Sequence, residues 1–180
     1  MGDSKLRGRL ALAGIGIAIG VIGVLVFNAS LEATATEEFC ISCHEMEANP
    51  YASIQKTSHF SNVSGVRPTC PDCHVPQEFL PKIMHKIKAS REVWGTLTGI
   101  IDTPEKYRAH APTMKQREIE RLRANDSREC RNCHDTGQWL TALQSSKAQK
   151  YHQAIHLNRK TCIDCHAGIA HPANTQGIEK

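Results

Sequence analysis

Apolar and polar positions are unevenly distributed along the chain, and the unevenness divides it in two. From Leu10 to about Phe27 no charged residue occurs. A run of roughly 18 to 20 such residues, rising ~1.5 Å each, is long enough for a ~30 Å hydrocarbon core. Lys5, Arg7 and Arg9 stand just before it. Basic residues stay on the cytoplasmic side, which predicts a cytoplasmic N-terminus over 1–9, a transmembrane anchor over 10–28 and an exported domain over 29–180. A cleavable signal peptide shares the basic start and apolar middle. The run exceeds the ~7 to 15 residues of a signal core, and Phe27-Asn28-Ala29-Ser30 matches a cleavage site only loosely, so the anchor is preferred; both readings export the chain. Gly16 and Gly20 form a G-x-x-x-G spacing that lets a second anchor approach, which makes a homodimer a candidate assembly.

A second pattern runs from Glu78 to Ile101, where Phe79, Ile83, Ile87, Trp94, Leu97 and Ile101 recur at three-, four- or seven-residue steps and predict an amphipathic helix. Its other face carries Lys82, Lys86, Lys88 and Arg91. Such a helix either lies on the membrane surface with its cations among anionic headgroups, or packs inward with a solvated charged face. Thr113 to Ala124 predicts a short charged helix that Asn125-Asp126-Ser127 ends, a scaffold or docking surface. The expected fold class is mainly α, a single transmembrane helix and a domain with little β structure.

Composition changes this picture in one respect. The 180 residues include four Phe, two Trp and three Tyr, and the part after the anchor is rich in Lys, Glu, Thr, Ser and Asn, so side chains alone make a poor core for one domain. Something else must fill the interior. The net charge of +4 is too small to argue for nucleic acid, and no Gly-rich phosphate loop occurs.

The cysteines say what fills it. All eight fall in C-x-x-C pairs, each followed by histidine: Cys40, Cys43 and His44; Cys70, Cys73 and His74; Cys130, Cys133 and His134; Cys162, Cys165 and His166. Two thiols bond the two vinyl groups of one haem and the adjacent imidazole is carried to its iron, so the pattern is that of c-type haem attachment. Four chance placements of histidine in so dilute a background have odds on the order of one in a hundred thousand. Exported disulfides do not explain a histidine behind every pair, and zinc sites built from C-x-x-C pairs do not require one. Four covalently bound haem c groups also supply the missing interior, so the chain without haem is expected not to fold.

Each iron has a second axial position, which histidine or methionine can fill. Outside the motifs stand His59, His85, His110, His152, His156 and His171, of which up to four are expected ligands. Met46, two residues after His44, either competes with it for the first haem or fills a gap in the core.

Taken together, Cys40-Ile-Ser-Cys43-His44-Glu45-Met46, Cys70-Pro-Asp-Cys73-His74-Val75-Pro76, the segment Asn125 to His134 and the segment Thr161 to His171 resemble the NapC/NirT family of single-helix-anchored tetrahaem quinol dehydrogenases, over nearly the whole chain. The resemblance implies an inner-membrane protein with its haem domain in the bacterial periplasm, taking electrons from the quinol pool, menaquinol or ubiquinol, and passing them to a periplasmic reductase or its cytochrome subunit. The most similar branch serves periplasmic nitrate reductase. It further implies that Met46 rather than His44 binds the first iron, and that His59, His152 and His171 are distal ligands beside the motif ligands His74, His134 and His166. His110 matches only some branches, while His85 and His156 match no ligand position and are expected to be solvated.

Oxidising quinol releases protons with the electrons, so the site needs groups that hydrogen-bond the quinol oxygen and accept a proton. By resemblance these are Lys86 and Glu92. Six residues apart, they lie about 120° from each other on a straight helix, and an ion pair of Glu92 with Lys88 is the plain structural alternative. The competing functions are a passive anchored carrier without a quinol site, a donor to a nitrite, hydroxylamine or N-oxide enzyme, and a reductase acting at an open first iron.

Overall fold

The computed structural model describes residues 2–157 and 160–172, and among them every regular element is helical, as expected of a mainly α chain. Helix α1 covers Gly2–Ala33. Its apolar window has none of its residues buried, and it is the one helix among the described residues long and apolar enough to cross a membrane. It outruns the apolar stretch at both ends, because the flanking polar residues include no proline to stop it. Only at Leu31 does it turn a buried side chain toward the rest of the chain.

The remainder alternates short motif helices with two long ones. Helix α2 (Glu37–Ile41) and α3 (His44–Met46) carry the first motif, then a π-helical turn over Glu47–Tyr51 with Pro50 inside it leads to α4 (Ala52–Ile54). Helix α5 (Cys70–His74) is the second motif. The predicted amphipathic helix is α6, Phe79–Leu97. It stops in a left-handed turn at Gly99, φ +75°. Gly99 N–H donates to Thr96 O (3.1 Å) and Ile100 N–H to Gly95 O (2.8 Å), the paired bonds that satisfy a helix's last carbonyls. Ile101, expected on the helical stripe, instead folds back over Gly95, where a Cβ would meet its side chain at 3.3 Å.

Helix α7 corrects the expected Thr113 to Ala124: it begins at Pro104 and ends at Ala124, with Pro112 inside. Thr103 caps it by accepting from Lys106 N–H, and Pro104 occupies the first turn, where no amide partner is needed. A proline costs its own amide bond but leaves the turns on either side intact when packing holds them. The predicted break holds: Asp126 and Ser127 have φ of 57° and 52°. Helix α8 (Arg128–Arg131), two 3₁₀ turns, α9 (Ser146–His156) and α10 (Cys162–His166) complete the described elements.

The apolar side chains buried among the described residues are Leu31, Ile54, Pro76, Ile101, Leu122 and Ile155. That is too few to hold a domain of this size. The chain's own packing leaves the interior to be filled by something else.

Candidate functional site

Three of the four C-x-x-C-H motifs are folded as a turn of helix or close to it, which puts residues i, i+3 and i+4 on one side. The second and fourth motifs are wholly helical and open with a reciprocal cap. Asp72 Oδ2 accepts from Thr69 N–H (2.7 Å), and Asp164 Oδ2 from Thr161 N–H (2.8 Å). These two bonds use the signature of a threonine followed three residues later by an acid, legible in the sequence but not singled out. In the third motif His134 N–H donates to Cys130 O (2.9 Å), closing the same turn. The first motif departs: Cys43 is extended, φ −85° and ψ 122°, so Cys40 and His44 belong to different helices. No two of the eight cysteines are joined in a disulfide.

The structure brings three motif histidines beside three others, one pair edge-on and two tilted. Ring centroids lie 6.2 Å apart for His59 and His134, 6.1 Å for His74 and His171, and 6.4 Å for His152 and His166. Two metal–nitrogen bonds of about 2 Å, plus the half-widths of two rings, come to about 6 Å. Burial pulls the His171 imidazole down to about 4, and burial, then the nearby His134, lowers His59. Both shifts favour the neutral imidazole, the form that binds metals. His152 is fixed by Gln144, whose Oε1 lies 2.7 Å from its Nδ1, and by Trp139 at 4.8 Å between rings. His44 stands apart, its side chain 70% exposed and its Nδ1 3.6 Å from Glu45. Met46 is 39% exposed.

Of the remaining histidines, His110 is exposed with Nδ1 3.0 Å from Lys106 O. His85, expected to be solvated, is part-buried, and burial lowers its pKa. The side chain of His156 lies outside the described residues.

Between the second and third motifs runs a polar network that sequence reasoning missed. Glu118 Oε1 lies 3.0 Å from Nδ1 of His74. Arg121 grips both oxygens of Glu118 (2.9 and 2.7 Å), donates to Cys73 O (3.1 Å) and pairs with Glu129 (2.6 Å). Burial pushes the Glu118 carboxyl up, but His74 and Arg121 outweigh it and hold it at about 2. Asn125 donates to both oxygens of Glu129. Ser127, fully buried, accepts from Ile163 N–H (3.1 Å) and so joins the third motif to the fourth.

Lys86 lies where the anchor meets the first motif. Its Nζ donates to Thr34 O (2.9 Å) and Thr34 Oγ1 (2.7 Å), just past the end of α1, and one turn earlier Lys82 pairs with Glu32 (2.7 Å). Burial lowers the Lys86 pKa, and the neighbouring Cys40 acts against it. Glu92 points elsewhere: it pairs with Arg117 of α7 and lies 3.6 Å from Arg91, not with Lys88, and its Oε2 is buried without a hydrogen-bond partner. The two residues do not meet. Phe79, Leu80, Met84, Ile87, Trp94 and Leu97 of α6 are all exposed.

A family model matches the chain across all four motifs. The model described as the NapC/NirT cytochrome c family, N-terminal region, covers residues 3–176. The chain belongs to the NapC/NirT cytochrome c family. Among relatives, the cytochrome c-type protein NapC of Escherichia coli (strain K12) is 51% identical over 167 residues, 91% of this chain and 83% of that protein. NapC of Paracoccus pantotrophus is 50% identical over 91% of this chain and 70% of its own length. The denitrification system component NirT of Stutzerimonas stutzeri is 49% identical over 91% and 83%. No solved structure matches the chain. As a NapC/NirT member the chain is a c-type cytochrome whose role is electron transfer, and its residues fit the group this implies. Paired thiols beside an imidazole are the donors a covalent haem needs. The imidazole pairs have a metal's spacing, His59 Nδ1 is buried without a partner, and the sparse core leaves room for an apolar macrocycle.

Proposed function

We propose that this chain is a quinol dehydrogenase of the inner membrane, carrying four haem c groups on the periplasmic side and donating to a periplasmic reductase. By family resemblance, nitrate reductase is the partner we favour. The observation that carries the reading is Lys86. A part-buried amine with a lowered pKa, held between the exit of the membrane-crossing helix and the first haem motif, is a hydrogen-bond donor at the place where a lipid-soluble substrate would arrive.

Cys40 and Cys43, Cys70 and Cys73, Cys130 and Cys133, and Cys162 and Cys165 attach the haems, with His74, His134 and His166 as proximal ligands. His171, His59 and His152 are their respective distal partners, an assignment supported by the three ring distances. Met46 takes the place of His44 at the first site. Bound haem supplies reversible one-electron chemistry, so four in series carry electrons from membrane to partner. Lys86 hydrogen-bonds the quinol oxygen and in its neutral form accepts the quinol proton, and Glu92, with one carboxylate oxygen free of hydrogen bonds, takes up a proton farther along the helix. The exposed apolar side of α6 rests on the bilayer surface with Lys82, Lys88 and Arg91 at headgroup level. Gly16 and Gly20, beside which a Cβ would meet nothing, are open to a second anchor.

The test is reduction of the purified haem-loaded protein by a menaquinol or ubiquinol analogue, followed in the visible haem bands. Reduction that a quinol-site inhibitor blocks is the expected result. No reduction by either quinol, with dithionite reduction intact, makes the chain a passive carrier and overturns the reading. Steady nitrite turnover without a partner would instead put catalysis at the first iron.

A further inference from the structure

Of the six imidazoles that stand in pairs, His74 alone among the described residues has a carboxylate within hydrogen-bond distance, Glu118 at 3.0 Å. His152 has a neutral amide, Gln144, and the buried Nδ1 of His59 has no partner. Glu118 is not a loose surface acid. Arg121 holds both its oxygens in a bidentate fork, and the same guanidinium is anchored to Cys73 O inside the second motif and to Glu129, whose side chain is 2% exposed. Asn125 clamps Glu129 in turn. A bidentate pair of this kind fixes the direction of the carboxylate as well as its charge.

We propose that Glu118 is a positioning residue for His74: its carboxylate accepts from Nδ1–H, fixes the tautomer that leaves Nε2 for iron, and lowers the reduction potential of the haem held by Cys70 and Cys73 relative to the same haem without that charge. The inference rests on the reading that His74 ligates that haem. An anionic acceptor on the far nitrogen makes an imidazole a stronger electron donor. The more highly charged ferric ion gains more from this than the ferrous ion, so reduction becomes harder. One electron enters ferric iron and one leaves ferrous iron; Glu118 exchanges no proton in the cycle. Gln144, a neutral acceptor, holds His152 in place without the same electronic effect. The second and fourth haems therefore differ in potential for a reason written in their outer partners.

The experiment is a spectroelectrochemical titration of the full-length, haem-loaded protein and its Glu118→Gln variant, with haem content measured by mass. The expected result is four haems retained and one midpoint potential moved upward, the other three unchanged. A role in packing alone would lower haem content or thermal stability without singling out one potential. Glu118→Asp, which restores the charge on a shorter arm, should return that potential part of the way. Four haems with all potentials unchanged in Glu118→Gln overturns the proposal. If Glu118→Gln loses a haem, Glu118→Asp is decisive: an upward shift of one potential is expected, and none overturns it. A wild-type peptide spanning Cys70 and Cys73 that carries no haem would instead remove the underlying reading.

Discussion

The first haem motif and the other three share a spelling but not a structure. In the second, third and fourth, the motif histidine lies beside a second imidazole at 6.1 to 6.4 Å, and the surroundings are tied down by caps, ion pairs and a buried serine. In the first, Cys43 leaves helical conformation, His44 faces solvent, and a π-helical turn containing Pro50 follows Met46. Such π turns recur at functional sites because they re-aim side chains at a cost in regular bonding. The contrast is between three motifs whose histidine lies beside a second imidazole and one whose histidine has no such neighbour among the described residues, and that one follows the apolar helix α1 in sequence.

That contrast is most sharply tested at the ligands. His59→Ala, His152→Ala and His171→Ala should each turn one low-spin haem high-spin and make it bind carbon monoxide. His44→Ala should leave the spin states as they are. Magnetic circular dichroism of the purified variants decides this, and a new high-spin haem in His44→Ala would erase the distinction between the first site and the others. The next effect is kinetic. Lys86→Leu should slow quinol oxidation by about 10²-fold, within the usual range for a positioned proton-transfer group, while dithionite reduction stays intact. Because burial lowers the Lys86 pKa, its neutral form gains population below the ordinary lysine range. The rate should therefore rise with pH from that lower point, and Lys86→Arg, which keeps its proton, should flatten the profile in stopped-flow traces. The smallest effect concerns the caps. Thr69→Ala and Thr161→Ala should each destabilise their motif helix by about 1 kcal/mol, read as a lower midpoint in denaturant.

Features governed by local spacing were legible in the sequence. The haem motifs, the anchor and the amphipathic α6 all follow from short-range chemistry and periodicity. Features set by tertiary contact were not. Nothing in the order of residues pairs His171 with the second motif and His59 with the third, since each partnership spans a long stretch of chain. Glu92 illustrates the same limit: Lys88 is its natural helical neighbour, yet the structure turns it to Arg117 on another helix. Glu118 and Arg121 are spaced as a local pair, but their importance comes from Glu129 and Cys73 O, which only the fold brings near. In α7 a proline at 112 locally favours a boundary, whereas the cap at Thr103, buried Leu122 and the Arg123 pairing with Asp164 belong to a helix that runs through it.

Ser127 has one further consequence. A serine forced into the left-handed region costs about 1–2 kcal/mol, which glycine would avoid; but glycine has no hydroxyl, and the part-buried Ile163 amide would lose the oxygen that receives it. The position thus trades backbone comfort for a rivet between two distant stretches of chain. Two redox centres mounted on either side of a rivet keep a constant separation as the polypeptide breathes, and tunnelling between them inherits that constancy.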